Sequence, residues 1–404
     1  MVEASPLPAI KWKGFTLNNH IPNSRFRAAA LAASVVVVVI ATAGPALAQP
    51  PVPMRYSTRT LAMGNATLLS SNPIEMGYYN PGALSLTGGF HIYALGQVNF
   101  NQDFIDVANF IDDNNNDFDN FDTMGPLQQL NFLDSINDEV GGKWVGLDFD
   151  PMIGVQLGKL SFSAYSVTRA QIRFDADTNL DPFTGSYNAP TLMAKVEQDW
   201  VINAALGIQV GPLMHGGVGL RFLNRTYTEQ IQTIDPLEGD NPFDLFSSAT
   251  DEAKDTVTGF AVDVGGTFTL TKALAVGGLV RGLVSGMEDA DWEPEVCVGV
   301  RVKPLEVLLG IPKILIRDLT LEADIQDISN VRGEQFDEKI QLGAELKIPF
   351  FALRAGMNRG KFTYGVGFHF LIVDMAFAKT SLPVFTPFGV EDQDLWSISA
   401  GLGF

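Results

Sequence analysis

From residue 90 onward the chain alternates. In 394–404, DLWSISAGLGF, Trp396, Ile398, Ala400, Leu402 and Phe404 fall on one side of an extended chain. Ser397, Ser399, Gly401 and Gly403 fall on the other. Period-2 alternation marks a strand with one apolar face. The pattern predicts fourteen strands, at 90–100, 151–158, 159–173, 191–209, 215–229, 256–270, 272–286, 295–303, 316–328, 336–348, 351–357, 361–370, 372–380 and 394–404. In 191–209, Ala194, Val196, Trp200, Ile202, Ala204, Leu206 and Ile208 oppose Lys195, Glu197, Asp199 and Asn203. In 215–229, Val218, Leu220 and Phe222 oppose Arg221 and Arg225, and in 256–270 Phe260, Val262, Val264 and Phe268 oppose Asp263.

The connections alternate too. Those at 158–159, 210–214, 270–272, 350 and 371 are short; those at 101–150, 174–190, 231–255 and 381–393 are long and mostly polar. One, 304–315, breaks the rule with an apolar helical turn. An even strand count with short turns at one end and long loops at the other predicts an all-β fold, a transmembrane antiparallel β-barrel of about 14 strands. Its apolar faces then meet lipid and its polar faces line a lumen. Lipid cannot satisfy a free strand edge, so 90–100 should pair with 394–404. Trp396, Leu402 and Phe404 form the closing signal, and Trp144, Trp292 and Trp396 fall at loop-side strand ends, where an interfacial girdle belongs. A turn near 212 would set Asp199 beside Arg225, and one near 272 would set Asp263 beside Arg281, so inter-strand ion pairs are expected in the lumen.

The start of the chain reads differently. Arg25 and Arg27 precede an apolar run over 28–43, and Ala46-Leu47-Ala48 follows as an A-x-A site. This reads as a signal peptide over 1–48. That segment carries a net +3, so the remaining residues carry -22 of the formal -19 total. Such a balance excludes a nucleic-acid partner, which needs a basic face. The single cysteine, Cys297, excludes a disulfide framework and a multi-Cys metal site. Segment 101–150 holds twelve acids and one base, Lys143. Asp113, Asn115 and Asp117 have the spacing of a Ca²⁺ loop, but Phe118 stands where Gly is needed and Met124 where Glu is needed. The segment therefore reads as a solvated extracellular insertion, with short helices over 126–140. His91, His215 and His369 have no nucleophile motif near them, and no phosphate loop or dinucleotide fingerprint occurs. The expectation is a non-enzyme with neither cofactor nor metal.

Residues 59–85, RTLAMGNATLLSSNPIEMGYYNPGALS, resemble the N-terminal segment of FadL-type hydrophobic-compound transporters and of the PorV-like and TraF-like outer-membrane barrels. The matching residues are Leu61, Met63, Gly64, Ala66, Asn80 and Pro81, with Gly82-Ala83 in place of the families' Ala-Gly. Near the other end, LTLEADIQDIS, QLGAELKI, LRAGMNRGKFTYGVGFHF and VDMAFAKT are similar to the closing strands of the PorV-like and TraF-like barrels. The resemblance implies a hatch at 49–87 inside a barrel over 88–404, in an outer membrane, with the bilayer and the outer-membrane insertion machinery as partners. It also implies passive uptake of a hydrophobic ligand at Met63, Tyr78, Tyr79, Asn80 and Pro81, with release through a gap in the wall. The alternative implied by the PorV-like and TraF-like relatives is a non-transporting barrel, an anchor or component of a secretion or conjugal-transfer apparatus. Under either, Lys195, Glu197, Asp199, Arg221, Arg225, Asp263 and Arg281 are expected to face the lumen.

Overall fold

A computed structural model describes residues 54–175, 191–233, 255–287, 293–307, 316–386 and 389–403. The signal-peptide reading at 1–48, Trp292, Phe404 and most of the 304–315 connection lie outside them. The strand segments are β1 (Phe90–Asn101), β2 (Trp144–Phe149), β3 (Met152–Leu157), β4 (Leu160–Asp175), β5 (Thr191–Gln209), β6 (Met214–Thr233), β7 (Asp255–Thr269) and β8 (Leu274–Met287). They continue with β9 (Glu295–Val302), β10 (Asp318–Ile325), β11 (Ile340–Lys347), β12 (Phe351–Asn358), β13 (Lys361–Phe370), β14 (Val373–Thr386) and β15 (Gly389–Gly403). Each pairs antiparallel with its sequence neighbour except β2 and β3, which both lie between β1 and β4, and β15 returns to β1, from Tyr93 opposite Gly403 to Asn101 opposite Leu395. The sheet is a closed barrel without edges.

β2 and β3 are two lengths of one barrel strand, which makes the count fourteen. The interruption at Asp150-Pro151 reflects the missing proline N–H. The register does not slip across it. On the β1 side Leu95 faces Met152 and Val98 faces Phe149; on the β4 side Tyr165 faces Met152 and Thr168 faces Phe149. Ladder bonds continue through it, from the Asp150 N–H to the Gln97 carbonyl (2.9 Å) and from the Ser166 N–H to the Pro151 carbonyl (3.0 Å). No gap opens in the wall at this interruption.

Burial is inverted relative to a water-soluble protein. Ile202 is 64% exposed and Phe222 54%, while Asp199 and Asn203, between the apolar positions of β5, are 0% exposed. An outward apolar band and an inward polar face are what a bilayer demands of a barrel. Among the described residues no helix is long and apolar enough to cross a membrane. At the short-turn end the Phe350 ring lies tilted 6.0 Å from Phe370, and Phe351 5.4 Å from Phe368, an aromatic collar.

Four expectations are corrected here. The second barrel strand begins at Trp144, not at 151, so the insertion is shorter. The insertion is helical throughout much of its length: α-helices span Gln102–Asp113, Asn115–Asp119 and Pro126–Val140. Phe132 and Leu133 of the last helix pack with Phe121 in a small buried core, which a solvated loop would not form. The 381–393 stretch is no loop, because β14 and β15 run on as a hairpin pairing Ser381 with Asp394 through Thr386 with Gly389. Trp144 is buried at 3% exposure, with the Arg173 guanidinium 6.0 Å from its ring centre, so it is not part of a lipid-facing girdle. It shares the inward face of β2 with Gly146 and Asp148. Trp396, by contrast, stays on the outer face beside Ile398 and donates its indole N–H to the Gln102 side chain (3.2 Å).

Candidate functional site

The lumen is filled by residues 54–87. This hatch contains α-helix α1 (Thr58–Ala62), α-helix α2 (Met76–Tyr79) and a 3-10 turn at Leu84–Leu86. Ser57 starts α1 as an N-cap, its side chain accepting from the Thr60 N–H. Gly64 and Asn65 end it with φ of 61° and 63°, a left-handed turn. The Asn80 side chain accepts from the Gly82 N–H (3.0 Å) and donates to the Leu68 carbonyl (3.0 Å), tying two legs of the hatch together. Asn-Pro-Gly thus acts as the turn former its sequence predicts.

The hatch sits directly on wall backbone. A β-carbon on Gly265 would lie 2.1 Å from the Asn80 side-chain oxygen, and one on Gly356 would lie 2.4 Å from the Gly64 nitrogen. Similar approaches occur at Gly154, Gly207, Gly277 and Gly343, which receive Ile74, Ser85, Leu69 and Met63. The inward glycines of the strands therefore form a track shaped to the hatch. Polar contacts complete the seating. Asp324 accepts from the Thr67 and Leu68 N–H groups (2.7 and 3.1 Å), and Glu322 from the Leu69 N–H (2.6 Å). Thr58 meets Ser397 (2.8 Å), and Arg59 grips Glu345 with two bonds (2.9 and 2.8 Å). Buried backbone donors must find acceptors. The inward carboxylates supply them.

Between these polar anchors lies an apolar interior. Met152, Tyr165, Val167, Val201, Leu223 and Ala261 face inward at mid-height on β3 to β7 and pack with hatch residues Met54, Ile74, Tyr78 and Tyr79. Tyr78 lies 4.6 Å from Tyr79 and 5.0 Å from Tyr165, ring centre to ring centre. The Tyr79 hydroxyl donates to the Arg55 carbonyl (2.7 Å). Burial pushes both hatch phenols above the ordinary tyrosine range, so they remain neutral.

Toward the loop end the lumen becomes charged. Arg225 holds Asp199 with two bonds (2.7 and 2.9 Å) and reaches Glu197 (3.0 Å). Lys195 lies 5.5 Å from the Tyr227 ring centre. Asp263 does not pair with Arg281. It takes Arg221 through two contacts of 2.8 Å, and Arg281 turns to Glu295 (2.8 Å), which Arg332 also binds. The cause is a register shift in the β7–β8 ladder between Val262 and Val264. Gly282, at φ 63°, then delivers its N–H to the Asp263 carboxylate (2.8 Å), and Arg281 stands directly across from Glu295.

Of the five hatch candidates, Tyr78 and Tyr79 come together in the apolar interior. Asn80 and Pro81 follow at its edge, against Gly265 and Gly217. Met63 lies elsewhere, against Gly343 and Gly356 on β11 and β12. All five are buried where the hatch packs within the barrel. Sequence reasoning missed Arg55, Arg59 and Glu75. Arg55 donates to the Asp150 carbonyl and the Gln97 side chain (3.2 and 3.1 Å) and lies 3.5 Å from Glu75. Their signal was three charges in an otherwise uncharged stretch destined for burial.

No known family's sequence profile matches the chain, and no curated protein matches it by sequence. Solved structures do resemble it. The Ralstonia pickettii toluene transporter TbuX is 12% identical, with a TM-score of 0.49 over 86% of this chain and 98% of that one. The P. putida toluene transporter TodX is 12% identical, with a TM-score of 0.45 over 86% and 97%. A Pseudomonas aeruginosa FadL homologue is 11% identical, with a TM-score of 0.40 over 89% and 99%. The likeness is one of overall outline and assigns no residue a role.

Proposed function

We propose that the chain is an outer-membrane barrel that admits small hydrophobic molecules passively, of the fatty-acid or hydrocarbon type. The observation that supports this is the apolar interior around Tyr78. A water-filled pore lines its wall with polar side chains. Here the middle of the wall presents Met152, Val167, Val201 and Leu223 to the hatch instead. Apolar surface of this kind is where an apolar solute leaves water favourably. With the wall closed, the route runs between the hatch and β3–β7 toward the short-turn end. A second reading, a plugged barrel that anchors or joins a secretion or conjugal-transfer apparatus, draws on the glycine track that seats the hatch and on the acidic helical insertion.

Native mass spectrometry on barrel extracted gently from membranes tests the two. A hydrophobic molecule at fixed stoichiometry, lost on Tyr78→Ala and Tyr79→Ala, supports uptake. A ligand-free barrel carrying a protein partner supports the second reading.

A further inference from the structure

A cavity of about 360 Å³ opens at the short-turn mouth, between hatch residue Arg59 and the wall. Lys347, Arg354 and Gly367 line it from β11, β12 and β13. At its centre is Glu345, 1% exposed at the side chain, which receives Arg59, Arg354 (2.9 Å) and Lys347 (3.3 Å). One carboxylate offers about four acceptor sites. Arg59 takes two of them, Arg354 a third and Lys347 the fourth. Three cations thus share one anion, and the carboxylate has no capacity left. The other acids on the cavity are engaged elsewhere: Glu75 with Arg55 (3.5 Å) and Asp374 with His369 (2.7 Å).

The surplus is visible as an unused donor. The Arg354 side chain is only 9% exposed, and its Nη1 is buried with no hydrogen-bond partner. Gly367 makes room for it, since a β-carbon there would stand 2.5 Å from Nη1. An orphaned charged donor of this kind is costly unless something accepts from it.

We propose that this cavity binds a compact oxyanion, a carboxylate or phosphate group, between Arg354 and Lys347. Charge-assisted bonds from a planar guanidinium suit such a group. The neighbouring Leu95, Ala352 and Phe350 leave apolar surface for a short substituent on it. The site goes beyond the uptake reading, because equilibrium binding at the mouth requires no passage through the lumen.

Calorimetric titration of the full barrel in detergent tests it, with inorganic phosphate, hexanoate and hexanol as probes. Saturable binding of phosphate and hexanoate, one per barrel and weakened by salt, is expected, with none by hexanol. Equal affinity for the two anions identifies a free oxyanion; tighter hexanoate identifies the headgroup of an amphiphile. Arg354→Gln should weaken binding by about tenfold or more. Should that variant fail to form a heat-modifiable barrel, Lys347→Gln, at a half-exposed position, should still weaken it several-fold. Absence of saturable anion binding, hexanol binding as well as hexanoate, or affinities unmoved by the folded variants would overturn the proposal. None of those results would touch the uptake reading, which is read from apolar ligand retention at Tyr78.

Discussion

A β-carbon on Gly217 would lie 2.1 Å from the carbonyl oxygen of Pro81, so wall and hatch meet there backbone to backbone. Gly217→Val should therefore unseat the 80–82 turn. Overpacking of this kind costs about 1–3 kcal/mol. The expected result is a barrel that still forms but loses its compact gel mobility at a lower temperature. Proteolysis within 54–87 should rise with it. Gly211→Ala, in a turn with no atom within 4 Å of the added carbon, should change neither reading.

The inward pair Arg221–Asp263 and the outer-face pair Lys379–Asp394 differ in burial, and their removal should differ accordingly. Arg221 and Asp263 are 2% and 0% exposed at the side chain, whereas Lys379 and Asp394 are 31% and 53% exposed. Arg221→Ala leaves a buried carboxylate short of its partner and should cost about 3–5 kcal/mol. Lys379→Ala should cost about 1 kcal/mol or less. Equilibrium urea unfolding in lipid vesicles checks both, and equal losses would contradict the burial described.

Tryptophan orientation is directly measurable. Trp200 is 51% exposed on the outer face, and Trp144 is 3% exposed within. In single-tryptophan variants reconstituted with brominated lipid, Trp200 emission should be quenched strongly and Trp144 emission little. Quenching of Trp144 to the same degree would place it against the bilayer.

Most of the wall was legible because lipid and lumen act on alternate residues, so Ile202 and Asn203 cannot exchange places. Pair register was legible where a turn and a regular ladder fix it, as for Asp199 and Arg225. It failed at Asp263 because a bulge leaves almost no trace in sequence. Gly282 was the one residue that could have marked it, and glycine is common in these strands. The β14–β15 hairpin was hidden for another reason. Pairing beyond the apolar band needs only backbone hydrogen bonds, so Pro383, Glu391 and Asp392 resembled a loop. The hatch residues were found by resemblance, but their contacts were not: Met63 and Tyr78 are close in sequence and seated on different parts of the wall.

Cys297 offers a test of how tightly the lumen is filled. It is 0% exposed, and its thiol lies 3.4 Å from Glu295. Burial blocks access, so maleimide should label it only after denaturation. Labelling of the folded barrel at a rate near that of free thiol would show that the hatch side of β9 opens in solution.

Thr58, early in the hatch, bonds to Ser397 on the last strand, and Arg59 bonds to Glu345 on β11. The segment made first thus waits for partners made last. Until β15 docks on β1, the bond from Thr58 to Ser397 does not exist. Zipping the final seam and docking the plug are then a single event, and a nascent barrel stalled one hairpin short would present its plug unfastened to whatever catalyst is holding the seam open.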